Sequence, residues 1–100
     1  MKKNIVKATH RAHVFYSGRV QGVGFRYTAE RIALDLGLVG WVKNLPDGRV
    51  EVVCEGGKEK IEALLCQIRE SSLGSYIKKI DCRWETPTQE FSDFLVEFSH

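Results

Sequence analysis

Two segments of the chain carry apolar residues at the spacing of an amphipathic helix. From Phe25 to Leu36 the apolar residues lie at offsets 0, 4, 7, 8 and 11, which places them on one helical face. Gly37 follows at the position where a left-handed C-terminal cap is favoured. A similar stripe of Ile and Leu, separated by charged residues, runs from Lys58 to Glu70. The pattern therefore predicts two helices.

Shorter runs of β-favouring or alternating residues predict strands. The predicted strands are Arg11–Ser17, Leu38–Leu45, Arg49–Glu55, Ile77–Glu85 and Phe94–Phe98. Pro46, Asp47 and Gly48 separate the second strand from the third and are typical of a turn, which makes these two strands a hairpin.

In the strand Arg49–Glu55, three residues that share one face are Val50, Val52 and Cys54. Arg49, Glu51 and Glu55 mostly fill the other side, so we expect a sheet with one covered face and one wet face.

The order of these elements predicts an α+β fold. It is the βαββαβ order of ferredoxin-like sandwiches, with two helices on one face of a mainly antiparallel sheet and an additional C-terminal strand. Residues 1–10 lack periodicity and are predicted to be a polar leader, and residues 11–100 to form a single domain. This fold hosts many functions, so the function must be argued from a site.

Composition and charge exclude several classes of protein. The chain has 100 residues, 43% of them hydrophobic, which fits one globular domain. A net charge of +2 is too small for general adhesion to nucleic acid or an anionic membrane. No apolar run is long enough to span a bilayer and no secretory signal is visible, so a soluble, cytoplasmic protein is expected.

The metal-binding residue types are scattered along the chain. Cys54, Cys66 and Cys82 form no paired motif and are interpreted as packing residues rather than a disulfide framework. The three histidines lack the spacing of a helical metal site. We therefore expect neither a metal ion nor another cofactor.

A glycine cluster lies between the first strand and the first helix, in GRVQGVGFR from Gly18 to Arg26. Glycine tolerates positive φ, so such a loop can direct successive backbone N–H groups towards an oxyanion. The positive end of the helix dipole follows directly, and Arg26 adds a cation that a bound phosphate would compensate. An ordinary strand-to-helix turn with a solvated arginine is the structural alternative.

Asn44 ends the strand that precedes the Pro46–Gly48 turn. Its amide could simply bond to the turn backbone. Alternatively, an amide that carries both a donor and an acceptor could orient a water molecule towards an electrophile.

GRVQGVGFR together with the asparagine of GWVKN resembles the acylphosphatase family, and the resemblance extends over roughly residues 11–98. It implies metal-free hydrolysis of the carboxyl–phosphate bond of small acyl phosphates by a positioned water, with a substrate phosphate oxygen accepting the proton of the water. It assigns the catalytic arginine to Arg26 and the water-orienting asparagine to Asn44. It assigns phosphate binding to Gly18, Arg19, Val20, Gln21, Gly22, Val23, Gly24 and Arg26.

The resemblance leaves other functions to be weighed. The alternatives are a non-catalytic phosphate-binding or regulatory module, an accessory domain of a larger maturation enzyme, and an RNA-binding sheet. RVEVVCE lacks the exposed aromatics of RNA-binding sheets, which disfavours a nucleic-acid partner. The expected partner is a small acyl phosphate, with inorganic phosphate or sulfate as a competing anion and no membrane. Trp41 and Trp84 are interpreted as packing residues.

Overall fold

The structure of the protein, a computed structural model, describes residues 7–98 and contains two α-helices and one sheet of five strands within that range. In chain order the elements are β1 (His10–Gly18), α1 (Phe25–Asp35), β2 (Val39–Asn44), β3 (Val50–Gly56), α2 (Lys58–Glu70), a 3-10 helix (Ser72–Tyr76), β4 (Ile77–Glu85) and β5 (Phe94–Glu97).

The sheet has the strand order β4-β1-β3-β2-β5. Neighbouring strands run antiparallel, except that β5 lies parallel to β2. Because β3 is antiparallel to both β1 and β2, those two strands run in the same direction and end at the same edge of the sheet. The predicted fold class, including its additional C-terminal strand, is confirmed.

The hydrophobic core lies between one face of the sheet and the two helices. Alternation along the strands turns Ala12, Val14 and Tyr16 of β1 into this core, where all three are fully buried. The helix residues buried against them are Phe25, Ala29, Ile32, Ala33, Ile61, Leu64 and Ile68. The predicted helical stripes are therefore the faces that hold α1 and α2 on the sheet.

Most element boundaries agree with the prediction. The main difference concerns the start of β1. β1 begins at His10, inside the segment assigned to the leader, because His10 pairs with Gly56 of β3. Just before it, the backbone N–H of Ala8 donates to Oε1 of Gln89 at 3.1 Å, and Nε2 of Gln89 donates to the Ala8 carbonyl at 2.7 Å. The first six residues of the predicted leader lie outside the described residues.

The cysteines and tryptophans follow the packing interpretation only in part. Cys54 is buried in the core, as expected for its face of β3, but Cys66 is exposed on α2, so the interpretation is wrong for that residue. All three cysteines are free thiols. Trp84 is 45% exposed because it lies on β4, an edge strand of the sheet. Nζ of Lys58 lies 5.9 Å from the centroid of its ring.

Glu55 departs most clearly from the expected wet face of β3, because its side chain is fully buried. The chain between β4 and β5 folds over it, so that Oε2 accepts from the N–H of Thr88 at 2.8 Å and Oε1 from the N–H of Gln89 at 3.0 Å. Arg11 donates from Nη1 to Oε2 at 2.9 Å. Burial raises the pKa of Glu55, but these donors outweigh it and hold the pKa below its ordinary value.

We expect Glu55→Gln to lower the free energy of unfolding by about 3 kcal/mol at pH 7, because it removes the buried negative charge that Arg11 and two backbone N–H groups contact and turns one acceptor oxygen into a donor facing them. The folded-state pKa of Glu55 is depressed, so its contribution is present above the ordinary carboxyl pKa and is lost as pH falls through the folded value. Urea unfolding at pH 7 and pH 3 should therefore show a smaller difference between the two proteins in acid. Glu62→Gln, at an exposed position of α2, is the matched control. Equal stability of Glu55→Gln and wild type at pH 7 would contradict this account.

Candidate active site

The predicted site residues meet at the sheet edge where β1 and β2 both end. Val50 is the register partner of both Tyr16 and Asn44, so these two residues lie level on either side of β3. With strands about 4.8 Å apart, their backbones are separated by about 10 Å. The glycine loop that follows β1 therefore starts beside the end of the strand that carries Asn44.

The loop leaves β1 through a conformation that requires glycine. Gly18 has a φ of 129°, and a Cβ at this position would overlap the carbonyl oxygen of Tyr76. That carbonyl accepts the N–H of Arg19 at 2.9 Å, and a register irregularity between Ser17 and Gly18 marks the end of regular pairing. The close approach of the Tyr76 backbone sets the direction in which the loop departs.

Two further glycines shape the part of the loop that faces solvent. Gly22 and Gly24 have φ values of 79° and 81°, in the left-handed region where other residues are strained. A Cβ added at either position would meet no described atom within 4 Å. Val20 is fully buried and Val23 packs against the core, so these two valines anchor the loop backbone. The loop thus has a fixed base and an open glycine surface.

Helix α1 starts directly at this loop and its positive end is not compensated locally. The helix geometry leaves the first N–H groups without partners inside the helix. Gly24 is the N-cap and supplies no side-chain oxygen, and no acidic residue lies in the first turn. These features favour a negatively charged ligand at the start of α1.

Arg26 is the second residue of α1, so its guanidinium adds a cation to the same helix end. Its Cζ lies 5.0 Å from the centroid of the Phe98 ring, within the range of a cation–π contact. Phe98 is 58% exposed and follows β5, which lies beside β2 in the sheet. The residue that follows β5 therefore contributes an aromatic contact to Arg26.

Asn44 is the last residue of β2, and its side chain is partly buried. Since Val42 is fully buried in the core, alternation places Asn44 on the same, helix-covered side of the sheet. In the turn that follows, Oδ1 of Asp47 accepts the N–H of Arg49 at 3.1 Å. That backbone hydrogen bond is the main cause that lowers the pKa of Asp47. Asp47 thus bonds to the turn backbone, a contact that the sequence also allowed for Asn44.

Gln21 connects the glycine loop to the β2–β3 turn. Its Nε2 donates to the carbonyl of Leu45 at 2.8 Å and to the carbonyl of Arg49 at 2.9 Å. The sequence assigned Gln21 to the phosphate-binding loop without distinguishing its side chain from its backbone. In the structure the side-chain amide faces the turn. Both donors of that amide nitrogen are therefore used within the protein.

A wide groove of the described surface lies elsewhere. It has a volume of about 1270 Å³ and is bounded by the end of α1 and the start of α2, with Leu36, Gly57 and Phe91 among its lining residues. These elements meet at the sheet edge opposite the glycine loop, and no predicted site residue lines the groove. A small, highly charged anion needs donors rather than volume, so the size of this groove does not locate the anion site.

Residues 7–98 contain no group of three or more His, Cys, Asp or Glu side chains arranged to hold a metal ion. Neither helix in that range is long and apolar enough to cross a membrane.

Sequence reasoning missed two contacts of the site. The first is the turn that Gln21 binds, and the second is the Phe98 ring beside Arg26. An amide with two donors among mostly apolar loop residues was the only signal for the first. No local pattern indicated the second, because the two residues are far apart in the chain.

Comparisons with known proteins bear on the fold and the family of the chain. The family model described as acylphosphatase matches residues 12–96. The chain is 49% identical over 86 residues to the acylphosphatase of Methylococcus capsulatus, covering 86% of this chain and 94% of that protein. It is similar to the crystal structure of acylphosphatase from Bacillus subtilis, with a TM-score of 0.83, 31% identity and coverage of 89% and 99% of the two chains. For the acylphosphatase structure from Coxiella burnetii the TM-score is 0.77, the identity 36% and the coverage 90% and 94%.

Proposed function

The chain belongs to the acylphosphatase family, and from this membership we propose that it hydrolyses small acyl phosphates at the glycine loop, with Arg26 and Asn44 as catalytic residues. The membership favours an enzyme over the alternative of a non-catalytic anion-binding module. The observation that carries the site assignment is the start of α1, where the left-handed Gly24 leads into a first turn without acidic residues.

Backbone N–H groups of the loop are proposed to bind the phosphoryl oxygens. The left-handed conformations of Gly22 and Gly24 support this, because such residues can turn successive N–H groups towards one anion. The open space above both glycines leaves room for the ligand. The segment that contributes these groups runs from Gly18 to Gly24.

Arg26 is proposed to neutralise charge on the phosphoryl oxygens as the transition state develops. Its planar fork can donate to two oxygens while the loop N–H groups bind the others. A guanidinium near a helix N-terminus is unfavourable in the empty site and becomes favourable when a dianion is bound. Electrostatic stabilisation of this kind is the main contribution in phosphoryl transfer.

Asn44 is proposed to orient the attacking water. Its position on the helix-covered side of β2, next to the turn that Gln21 binds, supports this role. An amide can accept from the water and donate to a phosphoryl oxygen at once, which holds the water in line with the bond that breaks.

The reaction balances without a protein base. The water oxygen forms a bond to phosphorus, a substrate phosphate oxygen accepts the water proton, and the bond from phosphorus to the carboxyl oxygen breaks. The electron pair of that bond leaves with the carboxylate, so the products are a carboxylate and inorganic phosphate. Asparagine is not basic near neutral pH, and a carboxylate is a good leaving group, so catalysis needs positioning of the water and charge neutralisation rather than a protein base.

We expect hydrolysis of benzoyl phosphate to be unaffected by a chelator, because Arg26 and the start of α1 supply the positive charge that a metal ion would otherwise provide. The measurement compares the rate before and after treatment with EDTA, and again after removal of EDTA on a desalting column. A rate that falls with EDTA and returns on adding a divalent metal would contradict the metal-free mechanism.

The proposal also covers competing anions, nucleic acid and the location of the protein. Inorganic phosphate and sulfate compete for the loop, since they present the same oxygens as the substrate. Nucleic acid is not a partner, which is supported by the pairing of Arg11, Arg49 and Arg83 on the open sheet face with carboxylates. A cytoplasmic location is supported by the free thiols, which suit a reducing compartment.

A further inference from the structure

The side chain of Gln21 uses both hydrogens of its amide nitrogen on one feature, the mouth of the β2–β3 turn. The two acceptors are the carbonyls of Leu45 and Arg49, at 2.8 and 2.9 Å. They belong to residues that face each other across the turn, because the N–H of Leu45 donates to the carbonyl of Arg49 at 2.8 Å. A single side chain of the loop therefore holds both arms of the turn.

The same contact fixes the residue next to Asn44. Leu45 follows Asn44 directly, and a planar peptide bond joins them. The N–H of Leu45, which belongs to that peptide, donates to the Arg49 carbonyl, and the carbonyl of Leu45 in the next peptide accepts the N–H of Gly48 at 3.1 Å, so Leu45 is held on both sides. Movement of Asn44 along or away from the loop would stretch the hydrogen bonds to Gln21.

The loop end of this connection is also anchored. Gln21 follows Val20, which is fully buried, and precedes the exposed Gly22 of the anion-binding surface. The hydrogen bonds of Gln21 are partly buried, where they are less weakened by competition with water. Gln21 thus lies between a fixed base and the part of the loop that faces the ligand.

We propose that Gln21 is a positioning residue that sets the separation between the phosphate-binding loop and Asn44. The inference rests on the proposed function, since it takes the loop as the phosphate site and Asn44 as the water-orienting group. In-line attack requires the phosphorus and the water to keep a fixed geometry, and a displacement of about 1 Å can cost about a hundredfold in rate. Gln21 keeps that geometry while its side chain contributes nothing to phosphate binding.

Gln21→Met is the first test, because methionine has a similar length and no hydrogen-bond donor. We expect kcat for benzoyl phosphate to fall by about tenfold or more, with the inhibition constant of inorganic phosphate changed by less than about twofold. Gln67→Met, the same substitution at an exposed position of α2, is the matched control and should leave both constants unchanged. Thermal unfolding of each variant verifies that it is folded.

A double-mutant cycle separates positioning from a general structural role. If Gln21 acts by placing Asn44, then Gln21→Met should lower kcat by less than about threefold in an Asn44→Ala background. A full additional loss in that background, or a parallel rise in the phosphate inhibition constant, would overturn the inference while leaving the proposed function intact. An Asn44→Ala variant with normal kcat would instead overturn the role of Asn44 in the proposed function.

Gln21→Glu gives an independent readout that does not depend on how methionine packs. At neutral pH its carboxylate would face two carbonyl oxygens, whereas a protonated carboxyl can donate one hydrogen bond. The kcat of this variant, relative to wild type, should therefore rise as pH is lowered from 7 to 4. A pH-independent ratio would count against the hydrogen bonds to Leu45 and Arg49 as the cause of the kcat loss.

Discussion

Arg26→Ala is expected to lower kcat/KM for benzoyl phosphate by about a thousandfold or more. Removing one preorganised oxyanion donor costs about a hundred- to a thousandfold in other enzymes, and Arg26 adds a full charge and a two-pronged fork. Because the guanidinium is proposed to contact the substrate before and during reaction, KM should rise as well as kcat fall. Steady-state kinetics at several substrate concentrations separates the two effects.

Stability measurements show whether the loss of activity of Arg26→Ala is caused by unfolding of the variant. Arg26 places a cation at the positive end of α1, so its removal should leave the thermal midpoint unchanged or slightly higher in phosphate-free buffer. The stabilisation that phosphate gives the wild type should be lost in the variant, since a ligand stabilises only the state that binds it. Arg31→Ala, at an exposed position on α1, is the matched control. Activity of Arg26→Ala within tenfold of wild type would refute its assignment.

Asn44→Ala is expected to lower kcat by about a hundred- to a thousandfold, because the attacking water loses the group that orients it. Phosphate binding relies on the loop and Arg26 in this proposal, so the inhibition constant of inorganic phosphate should stay within about twofold of the wild-type value. Rates and phosphate competition are measured on the same preparation. A variant that keeps its turnover, or one that loses phosphate binding in parallel, would show that Asn44 has another role.

The fold was predictable where the determining contacts are local. The stripes on α1 and α2 are set by side chains three and four residues apart, and their buried positions agree with the prediction. The alternation of Val50, Val52 and Cys54 likewise identified the covered face of β3. The resemblance to acylphosphatases, drawn from the glycine loop and GWVKN, is also confirmed.

Features set by distant parts of the chain were not predictable. The local sequence pattern places Glu55 on the solvent-exposed face of β3. Its burial depends on Thr88 and Gln89, which lie 33 and 34 residues further along the chain. The contact between Arg26 and Phe98 depends on where β5 ends, which local periodicity does not determine. For the site itself, the sequence identified the loop and Asn44, and the strand register brings them to one edge of the sheet, while the catalytic roles of Arg26 and Asn44 stay predictions.

The start of α1 has a consequence for protein engineering. A common way to make a helix more heat-resistant is to place Asp or Glu in its first turn or Ser or Asp at its N-cap, and α1 has neither. In the proposed site, such a change would put a resident carboxylate or hydroxyl where the substrate dianion binds. Thermostability and turnover therefore oppose each other at this one turn, and a more heat-resistant version of the protein has to be sought at α2 or in the sheet.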